Sequence, residues 1–143
     1  MGSYSLPRVA EDCLFCGIIA GDIPGQIVDS DEKTVAFMDI NPATKGHALV
    51  VPRTHSADLM EISEDDLAAT TVAAQRLAKR MREVLNTDGI NLINACGAAA
   101  WQTVFHFHIH VVPRYADDPL KLPWIPQPGD AGEIAAVAED LRA

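Results

Sequence analysis

With 143 residues, 48% of them hydrophobic and 22% charged, the chain can bury one real core and has none of the composition of a disordered segment. Its formal net charge of −9 repels polyanions, which argues against polymeric DNA or RNA as a partner and leaves small anions that local donors can hold. No apolar run reaches bilayer-spanning length, no charged n-region precedes a hydrophobic stretch, and an odd set of three cysteines (Cys13, Cys16, Cys96) is expected to be reduced, as in the cytoplasm.

Residues 1–10 read as a flexible lead-in, 11–115 as one domain, and 116–143 as a proline-rich loop with a short helix. Leu14, Phe15, Ile18 and Ile19 are spaced as in a helix that Gly21 ends. Gln26–Asp29 and Thr34–Met38 read as a hairpin around the polar turn 30–33. His47–Val51 is a buried-type strand closed by Pro52. Ser63 caps a long helix whose apolar stripe is Leu67, Thr71, Ala74, Ala78, Met81 and Leu85, with Gly89 beyond its end. Ile90–Ala95 and Val104–Val112 are strands, the second stopped by Pro113, with a small-residue loop between them. After Pro119, Pro123, Pro126 and Pro128, the residues Ile134, Val137, Ala138 and Leu141 mark a last helix. Adjacent strands without βα alternation predict an antiparallel α+β sheet with the long helix packed on it.

The most informative segment is His106-Phe107-His108-Ile109-His110. Strand alternation puts the three imidazoles on one face, roughly 7 Å apart, and sends Phe105, Phe107, Ile109 and Val111 to the core. Such a row is open to three readings: a three-histidine metal site, an inert solvent-facing row, or a reactive pair for phosphoryl chemistry. In the last, one neutral imidazole attacks an α-phosphate to give a nucleotidyl-imidazole that water hydrolyses, while a neighbour binds the non-bridging oxygens.

The run His106-Phe107-His108-Ile109-His110-Val111-Val112 resembles the signature of the histidine triad (HIT) family. Phe37-Met38-Asp39-Ile40-Asn41-Pro42, the segment from Gly46 to His55, and Gln102-Thr103-Val104 extend the likeness over residues 12–115. The chain is most similar to the Hint-like bacterial and actinobacterial branch. The resemblance implies a HIT-like fold and a homodimer formed through the long helix and the strand after it. It implies His108 as nucleophile and His110 on the α-phosphate, with His47 near the same phosphate. Phe37 and Ile40 would lie around the base, Asp39 on the ribose hydroxyls, and Asn94, Gln102 and Thr103 around the phosphates and leaving group. One departure stands out: Trp101 occupies the place where the family usually has Gly, in a loop one residue longer than usual.

Cys13-x-x-Cys16 by itself is compatible with redox chemistry, metal binding or chance. With His55 and His106 it completes a tetrahedral Cys2His2 set, and some members of the resembled family bind zinc at these positions. The expectation is therefore a structural Zn2+ on Cys13, Cys16, His55 and His106, with no catalytic metal. The functional expectation is a hydrolase or nucleotidyl transferase acting on purine nucleoside 5′-phosphate derivatives: a phosphoramidate, an aminoacyl-adenylate or a dinucleoside polyphosphate. AMP would be released through nucleotidyl-His108, with neither nucleic acid nor membrane as partner. A three-histidine metal hydrolase and a non-catalytic nucleotide-binding protein are the rivals.

Overall fold

A computed structural model describes residues 12–143, so the expected lead-in at 1–10 lies outside the described residues. The elements in chain order are α1 (Leu14–Ala20), β1 (Ile27–Ser30), β2 (Thr34–Met38), β3 (Ala48–Pro52), α2 (Glu64–Leu85), β4 (Gly89–Ile93), β5 (Ile109–Arg114) and α3 (Ala131–Arg142), with a short 3-10 turn at Ala98–Ala100. The five strands form one sheet in the order β1-β2-β3-β5-β4, every pair antiparallel. No helix among the described residues is long and apolar enough to cross a membrane.

Period-two alternation divides the core between the two faces of this sheet. On one face Ala36, Ala48, Val50, Phe107, Ile109 and Val111 pack against Ala73, Ala74, Leu77 and Met81 of α2. On the other, Val35, Phe37, Leu49 and Val51 pack against Phe15 and Ile18 of α1. The side chain of Ser63 accepts from the backbone N–H of Asp66, capping α2 as expected. At its other end Asn86 adopts the left-handed conformation, φ 53°, so the helix stops before Gly89, which opens β4.

Three details differ from the sequence reading. The fully buried threonine of α2 is Thr70, not Thr71; Thr70 Oγ1 donates to the carbonyl of Asp66, so its hydroxyl is satisfied inside the helix. The histidine strand begins at Ile109 rather than Val104, and Phe105, expected in the core, is 47% exposed. Pro113 does not end that strand. Its carbonyl accepts from Thr44 Oγ1 at 2.6 Å, on the side where β3 no longer runs, so its missing N–H costs no ladder bond. The last helix, α3, forms where Ile134, Val137 and Leu141 predict it, with all three exposed.

Candidate active site

Alternation in β2, β3 and β5 places Phe37, Leu49 and His110 on the α1 face of the sheet, and His108, just before β5, meets Phe15 on the same face. They line a cavity of about 340 Å3, together with Phe15 and Ile18 of α1 and with Asp39, Ile40 and Thr103 at its polar margin. The histidine row is not an open surface: α1 covers it, leaving His106 0% and His108 5% exposed. Phe15 meets the ring of His108 edge-on at 5.1 Å and that of Phe37 at 5.2 Å. A larger depression, about 510 Å3, lies between β1 and α2, but Arg76 there is already paired with Asp29 and Asp31 and no histidine lines it.

The backbone assigns a tautomer to each buried histidine. The Nδ1 of His108 is 2.8 Å from the carbonyl oxygen of His106, so Nδ1–H donates there and Nε2 keeps its lone pair. The N–H of Ala43 donates to His47 Nδ1 at 2.9 Å, which puts the proton of a neutral His47 on Nε2. That Nε2 lies 2.9 Å from His110 Nδ1 and 3.5 Å from Asp39 Oδ2. Donation from His47 to His110 Nδ1 leaves His110 with Nε2–H as its free donor. One side of the cavity thus carries a basic nitrogen on His108 and a donor on His110, the pair that attack on an anionic phosphorus centre requires.

Burial keeps these rings neutral. It is the main cause that lowers His108 and His47, and it pushes His110 down to about 4, with His108 and His47 adding repulsion. Gly46, just before His47, has φ +94°, and a Cβ there would meet Leu85 Cδ1 at 2.5 Å; only glycine fits this entry to β3. Asp39 Oδ1 accepts from the N–H of Asn41, fixing the carboxylate at the cavity margin.

Three of the expected ligand-binding residues do not line the cavity: His47, which stands behind His110, and Gln102 and Asn94. Gln102 is buried, with Oε1 accepting from Gly97 N–H and Nε2 donating to the carbonyls of Ala57 and Val104. Its amide is taken up in holding the loop. Asn94 does not line the cavity; its Nδ2 donates to the carbonyl of His108 at 2.9 Å and steadies the start of β5. Trp101 is 73% exposed and left-handed, with φ 80° and ψ 17°, a conformation that suits the glycine expected there. Phe15 and Ile18 escape sequence reasoning as site residues, because their helical spacing reads equally as core.

Beside the cavity a second cluster forms. The ring of His106 donates from Nε2 to the carbonyl of Pro52 at 2.8 Å, so Nδ1 carries the lone pair. That Nδ1 lies 3.3 Å from Cys13 Sγ, 3.5 Å from Cys16 Sγ and 3.3 Å from His55 Nδ1, and Cys16 Sγ is 3.5 Å from His55 Nδ1. Zn–N bonds of about 2.05 Å and Zn–S bonds of about 2.3 Å give tetrahedral N–N and S–N edges of roughly 3.3 and 3.5 Å. The residues present therefore fit a four-coordinate ion. Among the described residues the gathered donor sets are this one and Asp39, His47 and His110; the three triad rings do not converge on one point, so nothing favours the three-histidine metal site.

Residues 20–117 match the model of the HIT domain. The chain belongs to the HIT family. Over 106 residues it is 43% identical to Protein hit of Bacillus subtilis (strain 168), covering 74% of this chain and 73% of that protein. A Zn-bound histidine triad family protein from Mycobacterium smegmatis superposes with a TM-score of 0.75 at 40% identity, over 92% of this chain and 96% of that one. A histidine triad nucleotide-binding protein from Candida albicans gives a TM-score of 0.81 at 31% identity, over 92% and 95%. Membership in the HIT family accounts for the sheet order and the histidine strand together.

Proposed function

We propose that this HIT protein is a nucleotide hydrolase or nucleotidyl transferase acting at the α-phosphate of purine nucleoside 5′-phosphate derivatives. The observation that carries the reading is the tautomer of His108, whose carbonyl-bound Nδ1–H leaves Nε2 basic beside the cavity. The nucleotide-binding description of the Candida albicans relative supports it. The base lies against Phe15, Phe37 and Ile40, Asp39 accepts from the ribose hydroxyls, and His110 Nε2–H donates to a phosphate oxygen, with His47 behind it. His108 Nε2 forms a bond to phosphorus as the bond to the leaving group breaks. The leaving group departs with the electron pair and takes a proton from solvent. Water then attacks the nucleotidyl-His108, the P–N bond breaks, one water proton passes to solvent, and the nucleoside monophosphate leaves.

Cys13, Cys16, His55 and His106 would hold a Zn2+ ion, which when bound cross-links chain segments and supplies no reacting group. The Zn-bound Mycobacterium smegmatis relative supports this assignment. The working unit is a cytoplasmic homodimer joined through α2 and β4; exposed Val72, Leu92 and Ile93 and the unpaired edge of β4 favour that face. The test is adenosine 5′-phosphoramidate with wild type and His108→Ala. Turnover by the wild type, and AMP binding without turnover by the variant, is the expected result. Near-normal activity in the variant removes His108 as nucleophile.

A further inference from the structure

Helix α3 has a face made for burial and no residue that its own domain buries. Ile134, Val137 and Leu141 recur at helical spacing along one side, and all three are exposed. The segment leading to them adds exposed Leu122, Trp124 and Ile125. Apolar surface gathered in this way marks a contact face. Arg114 donates to both carboxylate oxygens of Asp118 and to the carbonyl of Leu120, which fixes where the chain leaves β5. Pro123, Pro126 and Pro128 then stiffen the path toward Asp130, the N-cap of α3. Residues 118–143 lie beyond the span that matches the HIT domain, so the shared fold does not account for them.

The depression between β1 and α2 is complementary to this helix. It follows α2 from Val72 to Glu83, about 17 Å at 1.5 Å per residue, against about 18 Å for the whole of α3. Exposed Val28 and Val72 and buried Leu77 give it an apolar lining. Arg76 is engaged by Asp29 and Asp31, and Lys79 and Arg80 outnumber Glu83, so the groove is basic. On α3, Glu133 and Asp140 stand seven residues apart, on one flank of the apolar stripe. We propose that α3 of each protomer lies in this groove of a second copy, so that two chains exchange their C-terminal helices. The mode is an amphipathic helix laid in a groove, with acidic residues facing basic ones. The proposal rests on the reading of the working unit as a homodimer. Val72 and Gln75 line both the groove and the depression beside β4, so the two contacts are continuous.

Two full-length variants test it by sedimentation equilibrium: a groove variant, Lys79→Glu with Arg80→Glu, and a helix variant, Glu133→Lys with Asp140→Lys. Each alone sets like charges together at both exchanged contacts, so its dimer dissociation constant should rise roughly tenfold or more. An equimolar mixture should recover dimers near wild-type strength, because in the mixed pair each groove meets a helix of opposite charge. High salt should shrink these differences, whereas Ile134→Ser with Leu141→Ser should weaken the dimer in high salt as well. Circular dichroism checks that every variant is folded. A mixture no tighter than either variant alone overturns the exchange, since a helix docked on its own chain gains nothing from mixing. Variants that dimerise as tightly as the wild type overturn it too, and leave the contact through α2 and β4 standing. A wild type that stays monomeric at its highest soluble concentration refutes the homodimer and the exchange together.

Discussion

The main-chain carbonyl oxygen of His106 lies 2.8 Å from Nδ1 of His108, so the first histidine of the triad sets the proton position of the second. A ring held this way presents the same nitrogen to every ligand in the cavity. Replacing it removes the bond-forming atom and leaves the neighbouring apolar wall intact. His108→Ala is therefore expected to lower turnover by a factor on the order of 10^3 or more while AMP binding survives, measured by steady-state kinetics and calorimetry. In wild type, reactions with radiolabelled nucleotide stopped by alkaline denaturation, which spares the acid-labile P–N bond, should trap label on protein; no label in the variant is the matching result.

Asp39 faces the cavity margin and does not touch the reacting nitrogen. Asp39→Asn keeps the shape and removes the charge that two ribose hydroxyls would share. KM for an adenosine substrate should rise roughly tenfold with kcat little changed, the pattern of binding lost equally from ground and transition states. A 2′,3′-dideoxy substrate should show no such difference between wild type and variant.

One zinc ion per chain is expected from elemental analysis of the purified protein. Cys13→Ala should bring that figure close to zero and lower the melting temperature by roughly 10 °C, since metal-binding free energy is folding free energy. Equal stability of a metal-free wild type would remove the ion from the fold's energetics.

Acid should weaken the fold through His110. Burial lowers this ring to about 4 in the folded chain, while an unfolded histidine titrates near 6.5. Between those values the unfolded state binds a proton that the folded state refuses. The stability is therefore whole above about pH 6.5 and declines as pH falls toward 4. Melting temperatures measured from pH 8 to pH 5 should drop, and His110→Asn should flatten that slope; an unaltered slope would assign the acid sensitivity to other groups.

Trp101 offers a test of backbone strain. Its φ of 80° suits glycine, and any Cβ there is disfavoured. Trp101→Gly and Trp101→Ala both discard the indole, so their difference reports the backbone alone. The glycine variant should be the more stable by about 1 kcal/mol in urea unfolding. Equal midpoints would mean that the loop rearranges around position 101.

The parts of this molecule legible from sequence are those that a local period or a chemical group dictates. Helix α2 showed its cap at Ser63 and its stripe to within one residue, because 3.6-residue spacing survives a small rotation error, as the exchange of Thr71 for Thr70 illustrates. Alternation along His106–Val111 put the imidazoles and the aliphatics on opposite faces. It failed at Phe105, where chain direction changes before the ladder begins. Pro113 misled because a single strand does not show which of its sides is paired. For Gln102 and Asn94 the limit is different: an amide's partners are set by distant main chain, at Ala57 for one and His108 for the other, and no local pattern encodes them. The roofing of the histidines by Phe15 is likewise a product of the tertiary fold.

Helix α1 carries both thiols at its start, and within the same turns Phe15 and Ile18 wall the triad cavity. One helix of seven residues thus serves both places, with no loop between them to absorb a change. Ion loading and ligand affinity should accordingly be linked reciprocally: whatever tightens the helix's first turn favours the other occupant too. A chelator would then act as a remote inhibitor, loosening the grip on the cavity's ligand while leaving the ring of His108 chemically untouched.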